Sequence, residues 1–130
     1  MKIVFCLSAL ATLGLTSCLN TAPSECHSTV VAPVLSVTGP KTVAVNQAAT
    51  FGLSYALESS CGKFNSVSDE TLATPNTRLV GVKVDYNGCN CPQTTIPAQA
   101  IYTFQPTQVG TYYLKFAAGT SYLTDTLVVK

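Results

Sequence analysis

The chain has 130 residues, of which 47% are hydrophobic and 10% are charged, with seven Lys and Arg against six Asp and Glu. This length allows one domain, and this composition is that of a chain with a buried core and not of a disordered one. The formal net charge of +1 leaves no basic stripe for phosphates, which argues against nucleic acid as a partner.

The first 17 residues have the pattern of a cleaved signal peptide. Lys2 supplies a positive start, and the apolar run of residues 3–15 follows it. A predominantly apolar run of thirteen residues suits the h-region of a signal peptide and falls short of the roughly 20 residues that span a bilayer. We therefore expect residues 1–17 to be removed from the mature protein.

The apolar run ends in Leu15-Thr16-Ser17-Cys18, which resembles the lipobox of bacterial lipoproteins: an aliphatic residue, two small residues and a cysteine. The resemblance implies that the Cys18 sulfur carries the lipid, as the only cofactor-like group, and that the protein is membrane-anchored. The alternative is an ordinary secretory signal followed by an incidental cysteine. Leu19 and Asn20 do not resemble an inner-membrane retention signal, so the outer membrane facing the periplasm is expected, with the cell surface as the alternative.

Residues 18–29 are predicted to be the lipidated cysteine and a polar, flexible tether. Residues 30–130 consist of short alternating segments separated by turn residues, which predicts an all-β domain, an antiparallel β-sandwich of about seven strands. Gly39-Pro40 is expected to interrupt the first strand. The predicted strands are 34–37, 42–45, 48–57, 78–86, 98–104, 111–117 and 122–129.

One of these strands suggests a class of sandwich. Gly110-Thr111-Tyr112, followed by Leu114 and Phe116, resembles the G-x-Y start of strand F in immunoglobulin-like domains. The resemblance implies a tyrosine corner at Tyr112 and a bacterial immunoglobulin-like domain. Leu114 stands where antibody domains have a cysteine, and the chain has no Trp, so an antibody-type domain is excluded.

Four cysteines remain once Cys6 leaves with the signal and Cys18 takes lipid. Export places them in an oxidising compartment, where disulfides are the default. A bond within the C-x-C pair would close a small, strained ring, so each of the other two cysteines should bond one member of that pair, in an order left open. These four are Cys26, Cys61, Cys89 and Cys91.

The residues that could carry chemistry do not form a convincing site. The four cysteines and His27 are zinc-ligand types, but their spacing fits no common zinc motif and oxidation competes for the thiols. His27 beside a tether is poorly placed for a catalytic triad. Asp85-Tyr86-Asn87-Gly88 predicts a type I′ turn and not a calcium loop. The acids are interpreted as loop or outward-facing residues, namely Glu58, Asp69, Glu70, Asp85 and Asp125.

The function expected from these patterns is that of a lipid-anchored, non-catalytic module for protein interaction or envelope structure. The alternative is a carbohydrate- or small-ligand-binding lipoprotein, for which Tyr113 and Tyr122 are the candidate binding surface. The expected partners are the membrane, through the lipid, and another envelope protein or a glycan. Because the tether is short, the cysteine-rich end should lie near the membrane, with the loops 67–77 and 105–110 at the opposite end.

Overall fold

The computed structural model describes residues 26–130, and all of their regular structure is β. The predicted signal peptide, Cys18 and most of the predicted tether lie outside these residues. Within the described part, no helix has the length and apolarity needed to span a bilayer. The strands are β1 His27–Ala32, β2 Val34–Thr38, β3 Thr42–Val43, β4 Ala49–Ser59, β5 Gly62–Thr71, β6 Thr77–Asn87, β7 Gln93–Phe104, β8 Gly110–Ala118 and β9 Ser121–Val129.

The strands form two sheets that pack face to face. The larger has the order β1-β6-β8-β9-β3, with β5 on the other side of β6, and the smaller has the order β2-β4-β7. Three aromatic rings meet between them: Phe51 of β4, Tyr102 of β7 and Phe116 of β8, with centroids 6.0–6.1 Å apart. The prediction of an all-β chain with two packed sheets is confirmed.

The described chain has nine strands rather than about seven, because the sequence analysis missed β1 and β5. In β1, five of six residues are exposed, so no alternation marks the strand, and it begins at His27, three residues before the predicted start of the sandwich. In β5, no residue is fully buried, so residues 67–71 were wrongly predicted to be part of a loop. Both strands exist because they pair with β6 along most of their length.

The sheets are not purely antiparallel, which corrects a second expectation. Strand β8 runs parallel to β6, from Thr77 opposite Tyr113 to Val80 opposite Phe116, and β3 runs parallel to β9. Strand β7 returns the chain to the end of the sandwich at which β6 begins, and the connection after it crosses to the larger sheet. Strand β8 therefore starts beside the start of β6 and runs in the same direction.

The N-terminal segment passes between the sheets twice. Pro33 separates β1 in the larger sheet from β2 in the smaller one, and Gly39-Pro40 separates β2 from β3. Proline has no N–H to donate to a ladder, which suits these switch points. A Cβ atom on Gly39 would lie 2.2 Å from Cδ1 of Phe51, so this close approach requires glycine. The predicted interruption at Gly39-Pro40 is confirmed.

The alternation predicted for the central strands is also present. In β6, Val80, Val82 and Val84 are fully buried, whereas Lys83 is exposed. Asp125 departs from its predicted outward position, because it is only 8% exposed. Its carboxylate lies at an inward-facing position of β9 and forms an ion pair with Lys41 at the edge of the sandwich.

Tyr112 and Tyr113 face opposite sides of β8, as adjacent residues of a strand must. The Tyr112 hydroxyl donates a hydrogen bond to the Gln108 carbonyl oxygen at 3.1 Å, and its ring packs 5.2 Å from that of Phe104. Tyr113 is 44% exposed on the outer face of the larger sheet. The contact predicted for a tyrosine corner is therefore present at Tyr112.

Candidate functional site

The four cysteines that follow Cys18 form two disulfides at one end of the sandwich. Cys26 bonds Cys89, and Cys61 bonds Cys91. The prediction that Cys26 and Cys61 each bond one member of the C-x-C pair is confirmed, and the structure decides the order. No thiol of the four is left to bind zinc, and residues 26–130 contain no group of three or more His, Cys, Asp or Glu placed to hold a metal ion.

Gly88 lies between the two disulfides at this end of the molecule. Its N–H donates to the Cys26 carbonyl at 2.9 Å, and its φ of 131° is one that side chains rarely adopt. A Cβ atom there would lie 3.2 Å from the Cys91 sulfur and 3.4 Å from the Cys61 sulfur. Asn87 does not share the positive φ that a type I′ turn needs, so the predicted turn type is wrong.

The residues weighed for chemistry at this end have structural roles. His27 lies in β1 opposite Asn87 and is exposed, so it is not part of a tether. The Asp85 carboxylate accepts hydrogen bonds from the Thr29 hydroxyl at 2.5 Å and from the Asn65 amide at 2.7 Å. These two bonds, that of Thr29 first, lower the pKa of Asp85. The carboxylate is thus engaged in joining β1 and β5 across β6.

Asp69 also lies in a strand and not in the predicted loop. Its carboxylate accepts hydrogen bonds from the Tyr102 hydroxyl at 2.6 Å and from Nε of Arg78 at 2.7 Å. Burial, followed by the bond to Asp69, raises the pKa of Tyr102, while the bond to Asp69 raises the pKa of Arg78. Because Asp69 belongs to the larger sheet and Tyr102 to the smaller, this cluster ties the two sheets together.

A groove of about 360 Å³ opens on the outer face of the larger sheet, at the point where the strand paired with β6 changes from β8 to β1. Strand β8 pairs with β6 as far as Val80, and β1 pairs with it from Val82. Gly81 lies between these two ladders. We call this feature the fork groove; it is lined by Val31, Ser68, Asp69, Glu70, Leu79, Gly81, Ala117, Gly119 and Tyr122.

Small residues keep the fork groove open. A Cβ atom on Gly81 would lie 2.9 Å from the Ser68 hydroxyl oxygen and 3.2 Å from Cγ1 of Val31. The Ser68 hydroxyl instead donates to the Gly81 carbonyl oxygen at 3.2 Å. Ala117 and Gly119 are further small residues of the lining. A larger side chain at position 81 would fill the groove.

The fork groove combines an aromatic wall with acidic and hydroxyl groups, and Lys115 lies beside the aromatic ring. The Tyr122 ring is 55% exposed, and the Lys115 ammonium lies 6.0 Å from its centroid. Glu70 and the Ser68 hydroxyl lie on the β5 side. This arrangement supplies a surface for stacking and several hydrogen-bonding groups. The lining includes no histidine or cysteine, so it does not contain a nucleophile–histidine pair.

Of the two tyrosines predicted as a binding surface, only Tyr122 lines the fork groove. Tyr113 is on the same face, but four residues along β8 from Ala117, the partner of Tyr122, which is a separation of about 13 Å. The sequence analysis missed Gly81, Ser68 and Glu70 as site residues. Gly81 carried the available signal, because glycine inside an alternating strand marks a bulge or a close approach.

Comparison with protein-family models, with curated proteins and with solved structures finds no match for this chain. The features that bear on its function are therefore those of the chain itself. They are the disulfide-bonded end of the sandwich and the fork groove on the outer face of the larger sheet.

Proposed function

We infer that the chain is an exported lipoprotein, anchored through Cys18, whose β-sandwich acts without catalysis in protein contact or envelope structure. The observation that carries this proposal is the pairing of all four cysteines after Cys18, which leaves Cys18 for lipid. Disulfides persist in oxidising compartments, and an export signal delivers the chain to one. The Leu15-Thr16-Ser17-Cys18 segment supplies the attachment point.

The anchor restricts where the sandwich lies. Only residues 19–25 separate Cys18 from Cys26, a reach of at most about 25 Å. The disulfide end is therefore close to the membrane, in the proposed location on the periplasmic face of the outer membrane. The hydrogen bond from Tyr112 to Gln108 supports an immunoglobulin-like class for the sandwich, although parallel pairing of β6 with β8 departs from the antiparallel sheets of that class.

Replacing Cys18 by alanine is expected to abolish incorporation of an alkyne-labelled fatty acid into the protein. The physical reason is that the proposed lipid is bonded to the Cys18 sulfur, and alanine offers no atom to carry it. The measurement is in-gel detection of the label in a bacterial host, together with fractionation of the membranes. Lipid chains each contribute roughly 0.8 kcal/mol per buried CH₂, so their loss should also remove stable membrane binding by the processed protein.

The matched control is Cys6→Ala, because Cys6 lies in the segment that is removed. This variant should be labelled and membrane-bound like the wild type. A wild-type protein without label, or a Cys18→Ala protein with undiminished label, would overturn the proposed anchor.

A second candidate function, binding of a carbohydrate or small ligand, is favoured by the position of Tyr122 in the fork groove. Sugars present apolar C–H faces that stack on aromatic rings and hydroxyls that bond to both donors and acceptors. Tyr122 offers the ring, Glu70 an acceptor and Lys115 a donor. The acidic groups of the lining suit an uncharged, hydroxyl-rich ligand better than an anion.

We expect Tyr122→Ala to weaken binding of such a ligand by about tenfold, through loss of the stacking surface. The measurement is a titration of the ¹⁵N-labelled full chain with a panel of envelope mono- and oligosaccharides. The largest chemical-shift changes should fall at Gly81, Ala117 and Tyr122. Tyr113→Ala is the control, since Tyr113 lies outside the groove on the same face. Equal losses in the two variants, or no shifts with any sugar, would exclude this candidate.

A further inference from the structure

Strand β7 is a long, uncharged sheet edge with little of the usual protection. Natural edge strands are blunted by shortness, charge, proline or bulges. Strands β1, β2 and β3 have six, five and two residues, and Pro33 and Pro40 flank β2. Strand β5 carries Lys63, Asp69 and Glu70 and contains an irregularity in its register. Strand β7 has twelve residues, none of them charged, and its protective features are Pro97 and a register irregularity between Gln93 and Ile96.

The outer side of β7 is open to solvent. Its ladder partner is β4, and among the described residues no other backbone hydrogen bond involves it. The strand extends over about 40 Å, at roughly 3.3 Å per residue. It also carries Ile101, which at 69% is the most exposed large apolar side chain in the described part of the chain. This edge thus presents unpaired backbone groups together with apolar surface.

We propose that β7 is the site at which two copies of this chain associate, edge to edge and antiparallel, into one continuous six-stranded sheet. An uncharged strand can pair with its own copy without like-charge repulsion. Strand β5 lies beside β7 at this edge of the sandwich, because Tyr102 of β7 contacts Asp69 of β5. Its charged side chains can therefore add charge complementarity between the two copies. Lys63 and Glu70 lie near opposite ends of β5, so an antiparallel two-fold axis brings each toward the other in the second copy.

The geometry of the strand agrees with such pairing. Residues opposite each other must lie on the same face of the sheet. A two-fold axis at Gln99 meets this condition, with Gln99 opposite itself and Pro97 opposite Ile101. Such an axis is perpendicular to the strands, so when the axis lies along the membrane normal the strands of both copies lie parallel to the membrane. Both disulfide ends are then at equal height, and the two short tethers reach the same membrane.

The test uses opposite charges at the proposed axis. Gln99→Lys and Gln99→Glu each place like charges against each other in a dimer, whereas a mixture of the two places opposite charges together. Sedimentation of the full chain in detergent should show a wild-type dimer and, for each variant alone, a dissociation constant raised at least about tenfold. An equimolar mixture should regain the dimer, which also shows that both variants are folded.

The matched control is Thr50→Lys, an exposed position on β4 of the same sheet, which should dimerise like the wild type. The proposal is overturned by a wild type that stays monomeric at every concentration. It is equally overturned by Gln99 variants that associate undiminished, or by a mixture that stays monomeric. The inference goes beyond the proposed lipid anchor. Dimer formation is measured by sedimentation and lipid attachment by fatty-acid labelling, so the failure of one proposal can be distinguished from the failure of the other.

Discussion

Replacing Cys26 and Cys89 together by serine is expected to lower the free energy of unfolding by about 4 kcal/mol, because the bond closes a long loop in the unfolded chain. The two cysteines are 63 residues apart. The bond also holds the start of β1, a strand that packs few buried side chains of its own. A loss of this size is a large share of the roughly 5–15 kcal/mol that stabilises a typical domain.

Urea unfolding of the oxidised proteins measures this loss. The matched control replaces Cys61 and Cys91, which are 30 residues apart, so the expected loss is smaller by about 0.6 kcal/mol. Amide hydrogen exchange should increase in β1 in the first variant only. A larger loss from the Cys61–Cys91 pair, or unchanged exchange in β1, would contradict the assignment of the main restraint to Cys26–Cys89.

Replacing Tyr102 by phenylalanine is expected to lower the free energy of unfolding by about 2 kcal/mol, the range for a buried hydrogen bond to a charged group. The Tyr102 side chain is buried, and its hydroxyl donates to the Asp69 carboxylate at 2.6 Å. The phenylalanine ring preserves the packing against Phe51 and Phe116, so the loss reports the contact between the sheets. Chemical denaturation at neutral pH measures it, and Tyr113→Phe, at an exposed position, should leave stability unchanged.

Because of the Tyr102 hydroxyl, we expect the free energy of unfolding to fall at alkaline pH. Below about pH 10 the hydroxyl is protonated in both the folded and the unfolded chain, and its contribution is complete. Burial raises the pKa of Tyr102 in the folded chain, so above about pH 10 the unfolded chain loses its proton first and stability falls.

Thermal unfolding from about pH 8 to about pH 11 should show this fall in the wild type and in Tyr113→Phe. Tyr102→Phe should show a smaller fall. Part of the alkaline fall in stability should remain in Tyr102→Phe, because burial also raises the pKa of Tyr55. An alkaline fall of equal size in Tyr102→Phe and the wild type would contradict the role assigned to this hydroxyl.

Elements with a local residue pattern could be predicted without knowledge of the fold. Strands β4 and β6 alternate between buried and exposed residues, so their inward faces could be read directly from Phe51, Leu53 and the valines of β6. Gly39-Pro40 marked a break through the backbone chemistry of its own residues. The C-x-C spacing excluded one disulfide pairing of three, because ring strain depends only on the residues between the two sulfurs.

Features that depend on a partner distant in sequence became apparent only in the folded chain. Strands β1 and β5 bury little, so their existence rests on pairing with β6 and not on their own periodicity. The order of the disulfides, the burial of Asp125 and the parallel pairing of β8 were likewise set by which strands meet. The fork groove at Gly81 arises for the same reason: it lies where β6 exchanges one neighbour for another, and a local pattern carries no information about neighbours.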